Sequence, residues 1–138
     1  MADTLELQIV TPERAAFSGS VSEVTLPGNL GELGVLPAHR QLLTLLNAGP
    51  IVARTASGER AFAIGSGFAE VMPDRVTVLT SHCDGADEID VAHARDRVAA
   101  LEKKLDESDF VSDEELNEHV EELARERARL AIVDRATR

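Results

Sequence analysis

From Leu5 to about Thr80 the apolar positions come in short runs with a period of two. Leu5, Leu7 and Ile9 alternate with Glu6 and Gln8, and Val24 and Leu26 flank Thr25. Further runs fall at Ile51 to Ala53, Ala61 to Ile64, Phe68 to Val71 and Val76 to Thr80. Turn chemistry separates them: Thr11-Pro12, Ser18-Gly19, Pro27-Gly28-Asn29, Ala48-Gly49-Pro50, Ser57-Gly58, Gly65-Ser66-Gly67 and Met72-Pro73-Asp74. Many short strands at close spacing predict an all-β sandwich or barrel. After Asp84 the period changes to that of a helix, with Val91, Ala94, Val98, Leu101 and Leu105 at 3-4-3-4 spacing. Asp87 or Asp90 is placed to cap this helix. Residues 106–112 break the pattern. Ser112 followed by Glu115 then reads as a capping box. Leu116, Val120, Leu123, Leu130 and Val133 stripe a second helix beside a row of Ala124, Ala128 and Ala131. A short loop between two amphipathic helices predicts an antiparallel hairpin.

The expected fold is therefore α+β in two segregated parts: an N-terminal β-sandwich over 1–85 and a C-terminal helical hairpin over 86–138. With 138 residues the chain fits a small domain plus an appendage. Four Phe and no Trp or Tyr leave the core to Val, Leu, Ile and Ala. A two-helix hairpin buries little by itself, so its stripe needs the sandwich or another protein, and its docking is switchable.

Charge narrows the partners. The net charge of −11 argues against nucleic acid and against anionic lipid. Residues 84–138 hold 17 acids and 9 bases. Eight acids and no base lie between Glu107 and Glu122, whereas five arginines follow Leu123. The second helix thus has an acidic start and a basic end, which suits its macrodipole. Arg125, Arg127 and Arg129 read either as a solvated face or as a partner-binding cluster. No run is long and apolar enough for a membrane span, and nothing suggests a secretory leader. The single Cys83 fits a reducing compartment.

The densest stretch is Gly31 to Leu46. It holds two apolar runs, Leu33 to Leu36 and Leu42 to Leu46, around a short polar connection. Gly31 and Gly34 offer unusual backbone angles and Pro37 ends the first run. The pattern reads as a hairpin with Glu32 and His39 at its mouth. Leu33, Val35 and the Leu42–Leu46 run are expected to hold the sandwich.

Catalytic chemistry is thin. There is no phosphate loop, nucleophile elbow, Cys-x-x-Cys or His-Glu-x-x-His. Gly65-Ser66-Gly67 is too short to cradle phosphate and reads as a hairpin turn. His39, His82, His93 and His119 are scattered, so no metal site is expected, and His82-Cys83-Asp84 reads as loop. Glu32 and His39 lack a nucleophile or second carboxylate, and the chain reads as non-catalytic.

Several ordered motifs resemble the epsilon subunit of bacterial-type rotary (F-type), proton-driven ATP synthases. They are Val10-Thr11-Pro12-Glu13, Phe17-Ser18-Gly19, the Gly31–Leu46 tract, Gly65 to Val71, Val76 to Leu79, and Ile89-Asp90-Val91-Ala92-His93-Ala94. The resemblance implies a non-catalytic rotor-stalk subunit, peripheral on the cytoplasmic face of the energy-coupling membrane. Its sandwich would bind the gamma subunit and the c-subunit ring, with Glu32 and His39 facing the ring. Its hairpin would lie compact on the sandwich, or extend and block ATP hydrolysis through Arg125, Arg127 and Arg129 against the catalytic alpha/beta subunits. Some family members bind ATP through an Ile/Leu-Asp-x-x-Arg-Ala motif and arginines of the second helix. Asp90, Arg125 and Arg129 match, but His93 stands where the motif has Arg. A mostly neutral His cannot replace a permanent bidentate charge, so weak ATP binding or none is expected, and no other cofactor. The alternatives are a free-standing binding module whose hairpin captures a peptide or nucleotide, and an enzyme working through Glu32 and His39. Association with gamma separates the first alternative from the stalk reading, and hydrolysis screens of the isolated chain address the second.

Overall fold

The computed structural model describes residues 3–107 and 110–136. Ser108 and Asp109, within the predicted helix break, lie outside the described residues, as does Arg138. The strands are β1 (Leu5–Val10), β2 (Ala15–Val21), β3 (Glu23–Gly28), β4 (Gly31–Val35), β5 (Leu42–Leu46), β6 (Gly49–Thr55), β7 (Gly58–Ile64), β8 (Gly67–Val71), β9 (Arg75–Thr80) and β10 (Cys83–Gly85). A single 3-10 turn, Ala86–Glu88, leads into α1 (Val91–Glu107) and α2 (Asp113–Ala136).

Hydrogen bonds link the strands in the order β10-β7-β6-β3-β5-β8-β9-β1-β2, with β4 paired to β3. All pairs are antiparallel except β1–β9. β3 and β5 share only the Gly28–Leu46 register, so the sheet folds over there into two layers. Alternation sets the inner face: Leu5, Leu7 and Ile9 are buried while Glu6 and Gln8 are exposed. Val24, Leu26, Ile51, Ala53, Val71, Val76 and Val78 join them in one apolar core. The free edges β2 and β10 are tied by side chains. Arg14 Nη2 donates to the Cys83 carbonyl (3.0 Å) and to Glu88 Oε2 (2.9 Å), and the Phe17 and Phe62 rings meet at 5.1 Å.

Four local expectations are corrected. Cys83 and Asp84, expected in a loop, open β10 and pair with Ile64 and Ala63 of β7. The 31–46 tract is not a hairpin. β4 pairs back onto β3 through the Asn29–Leu30 turn, where Gly31 takes φ +125°, while β5 pairs with β8. Residues 36–41 cross between layers, so two adjacent apolar runs serve different partners. In that crossing Ala38 takes a left-handed φ of 68°, while Gly34 shows no positive φ. Gly65-Ser66-Gly67 is likewise a crossing and not a hairpin turn, because β7 pairs with β6 and β10. A Cβ on Gly67 would lie 2.0 Å from the Leu79 carbonyl oxygen, which explains glycine there. Ser18-Gly19 sits inside β2 and is no turn; the Gly19 Cβ position lies 3.1 Å from Phe17 Cζ, so glycine leaves room for that ring.

The helices form at the predicted places. Asp90 Oδ1 accepts the His93 N–H (3.0 Å) and caps α1. Ser112 Oγ accepts the Glu115 N–H (3.1 Å), while Glu115 Oε2 accepts the Val111 N–H (2.9 Å) instead of that of Ser112. The buried face of α2 is rotated from the predicted stripe: His119, Leu123, Glu126, Ala128 and Ile132 are buried, and Val120 is 47% exposed.

Candidate functional site

Two surfaces stand out: the seam where α2 lies on the sandwich, and an uncovered face on the opposite layer. Ala128 and Ile132 of α2 pack on Ala63, with Ala61, Ala86 and Ile89 around them. This second cover explains why Phe62, Ala63 and Ile64 are buried in succession instead of alternating. Polar contacts fix the helix lengthwise. Glu121 Oε1 accepts from Ser66 Oγ (2.8 Å) and N (3.2 Å). Arg129 donates to Asp84 Oδ2 from Nη2 (2.5 Å) and Nε (3.1 Å). Arg135 makes two 2.7 Å bonds to Glu59.

The hairpin holds itself by other groups. Arg97 pairs with Glu122, Lys104 with Glu115 (3.0 Å), and His119 Nε2 with the Leu101 carbonyl (2.6 Å). The Arg97 guanidinium holds the Glu122 carboxyl below its usual range. The Val111 N–H, then Lys104, does the same for Glu115. Arg135 lowers Glu59, and the Gly85 N–H followed by Arg14 lowers Glu88. Burial pushes the Cys83 thiol up to about 12, which leaves it inert as a nucleophile. Among the described residues no His/Cys/Asp/Glu group is arranged to hold a metal ion.

The arginine trio does not form one cluster here. Residues two apart on a helix face apart. Arg125 Nη1 meets His82 Nδ1 (3.5 Å), Arg127 reaches Glu102 (2.9 Å), and Arg129 is held by Asp84 and by Glu126 (3.2 Å). Of the nucleotide candidates, Asp90 spends Oδ1 on its helix cap and Arg129 spends its guanidinium on Asp84. Glu32 and His39 lie at opposite ends of β4, not at one mouth. Glu32 pairs in register with Pro27 beside the β3–β4 turn, whereas His39 follows the far end, where the Ala38 N–H bonds the Pro73 carbonyl. Glu32 lines a small cleft with Glu59, Arg54 and Arg135. His39 Nδ1 lies 2.7 Å from the Arg40 carbonyl.

The feature that sequence reading missed is on the other layer. Leu45 pairs in register with Phe68, Phe68 with Leu79, and Leu79 with Val10, which makes an apolar row across four strands. Leu45, Phe68 and Leu79 are 63%, 42% and 39% exposed, and Leu43, on the same face of β5, is 68% exposed. The Leu42–Leu46 run thus contributes Leu46 to the core and leaves Leu42, Leu43 and Leu45 exposed, correcting the expectation that the whole run is internal. The signal was present: four leucines in five residues make both faces of one strand apolar. α2 packs over β6 and β7 and leaves this row uncovered.

Comparisons with known proteins agree with this architecture. The family model described as ATP synthase, Delta/Epsilon chain, beta-sandwich domain matches residues 4–84. An ATP synthase epsilon chain of Koribacter versatilis is 41% identical over 109 residues, covering 78% of this chain and 76% of that one. One from a Geobacter species is 39% identical over 140 residues, covering 100% of this chain and 99% of that one. In the cryo-EM structure of the Euglena gracilis mitochondrial ATP synthase, one chain superposes with a TM-score of 0.75 at 20% identity, covering 100% of this chain and 84% of that one, a likeness of fold. Matched over its sandwich by the family model and end to end by a relative 39% identical to it, the chain belongs to the ATP synthase epsilon chains.

Proposed function

We propose that this chain is the central-stalk subunit that docks on gamma through the Val10, Leu45, Phe68 and Leu79 row, and that its helices regulate ATP hydrolysis. The uncovered row carries the reading. It joins four strands on the layer away from the helices, and the next register along (Leu43, Glu70, Thr77, Gln8) is mostly polar. An apolar stripe with a polar border suits a protein partner. The chain performs no chemistry itself; it transmits rotation within the synthase, held peripherally, and no helix among the described residues is long and apolar enough to cross a membrane.

Ring contact is assigned to Glu32 and His39 as two separate points, because β4 separates them. An acid at position 32 suits a ring loop with basic or amide side chains. Nucleotide regulation is weak or absent in this reading, since Asp84 occupies the Arg129 guanidinium and His93 replaces an arginine. Co-expression with gamma tests the assembly: a stable complex is expected, and a chain that never associates with gamma overturns the reading. Arg125→Ala with Arg129→Ala tests regulation. Faster hydrolysis by the assembled enzyme is expected; unchanged rates show that these arginines do not inhibit.

A further inference from the structure

The hairpin packs on the sandwich chiefly through one helix. α2 packs on β6, β7 and the 3-10 turn, whereas α1 packs chiefly on α2. The apolar part of the seam is small: Ala61, Ala63, Ala86 and Ala128 offer methyl groups, and Ile89 and Ile132 are its larger side chains. Such contact supplies little burial, so the polar groups decide whether the helix stays down. Among the ion pairs across the seam, Arg129–Asp84 has both side chains under a quarter exposed (24% and 23%), against 46% and 33% for Arg135–Glu59. Arg129 also carries the buried Glu126 carboxylate, whose Oε1 it bonds while Oε2 has no partner. Arg125 Nε is likewise buried without one. The docked seam therefore contains unmet polarity and is balanced, not locked.

We infer that Asp84 is the latch of the helical hairpin: its carboxylate holds Arg129 on the sandwich, and the same guanidinium becomes available to acidic groups elsewhere only when the latch opens. Removing the carboxylate leaves Arg129 paired only with Glu126 of its own helix, so that no charge on the sandwich holds the guanidinium down. Docking and outside engagement of Arg129 are then mutually exclusive, so position 84 sets the fraction of hairpins free to act. The last step rests on the regulatory reading above; the latch itself does not.

Spin labels at Ser57→Cys and Ala136→Cys report docking in the full chain, with the buried, unreactive Cys83 left in place. Asp84→Asn and, from the other side of the pair, Arg129→Gln are each expected to lower the docked-to-free ratio roughly fivefold to tenfold. The exchange Asp84→Arg with Arg129→Asp is expected to restore it in part. An unchanged short-distance population in both single variants, with the sandwich still melting cooperatively, overturns the latch. In the assembled enzyme Asp84→Asn is expected to slow ATP hydrolysis. Release of the helices without any change in hydrolysis upholds the latch and contradicts the regulatory reading.

Discussion

At the scale of residues, the chain departs from simple expectation where the backbone is unusual. Ala38 sits in the left-handed region at φ 68°, in the crossing between layers. A side chain there costs about 1 kcal/mol that glycine avoids. Ala38→Gly is expected to raise the unfolding free energy by about 0.5–1 kcal/mol, after its own entropy cost, as read by denaturant titration; destabilisation would mean the Ala38 methyl group matters more than its backbone. Position 38 was not legible beforehand, because a left-handed alanine leaves no mark in composition or period. Gly31 was legible: its freedom was expected and its φ of +125° uses it.

At the scale of elements, period located both helices and the strands other than β2, where a turn was expected, and β10, which reads as loop. Leu5, Leu7, Ile9, Val76 and Val78 became core as alternation requires. Pairing was less visible, because sequence neighbours need not be sheet neighbours. The 31–46 runs and the Gly65–Gly67 turn each connect strands that lie in different parts of the sheet. The α2 stripe was misplaced because the helix has two packed faces, one toward α1 and one toward β7, so buried positions include His119 and Glu126 as well as apolar ones. The hairpin's ion pairs set its acid response. Glu122 and Glu115 have folded values lowered by Arg97 and by the Val111 N–H, against about 4.3 when unfolded. Their support is complete above that value and is lost as pH falls through the depressed folded values. Helical circular dichroism should hold from neutral pH to about 5, then decline at lower pH before the sandwich unfolds, since the sandwich core contains no carboxylate. Glu122→Gln should flatten this dependence. Simultaneous loss of helices and sandwich would count against it.

At the scale of the whole molecule, the two parts divide the labour by the chemistry of their surfaces. The sandwich has a large apolar core of its own, while the hairpin rests on it through a small, mostly alanine seam and a few polar contacts. A chain ending at Gly85 keeps β10 in its ladder with β7 and is expected to melt cooperatively; a broad, non-cooperative transition would show that the helices complete the fold. The candidate site was half legible. The arginines could be named from the sorting of charge and Asp90 from the motif of the family that the chain resembles, but not that Asp84 holds Arg129 or that Arg127 turns toward α1. The apolar row could not be seen until Val10, Leu45, Phe68 and Leu79, far apart in the chain, were brought into register. That row carries the central claim, and a binding titration with purified gamma tests it most directly. Leu45→Ser with Phe68→Ser, in a full chain whose melting is unchanged, is expected to weaken binding at least roughly tenfold, in line with truncating two interface anchors. Undiminished affinity in that variant would contradict the account.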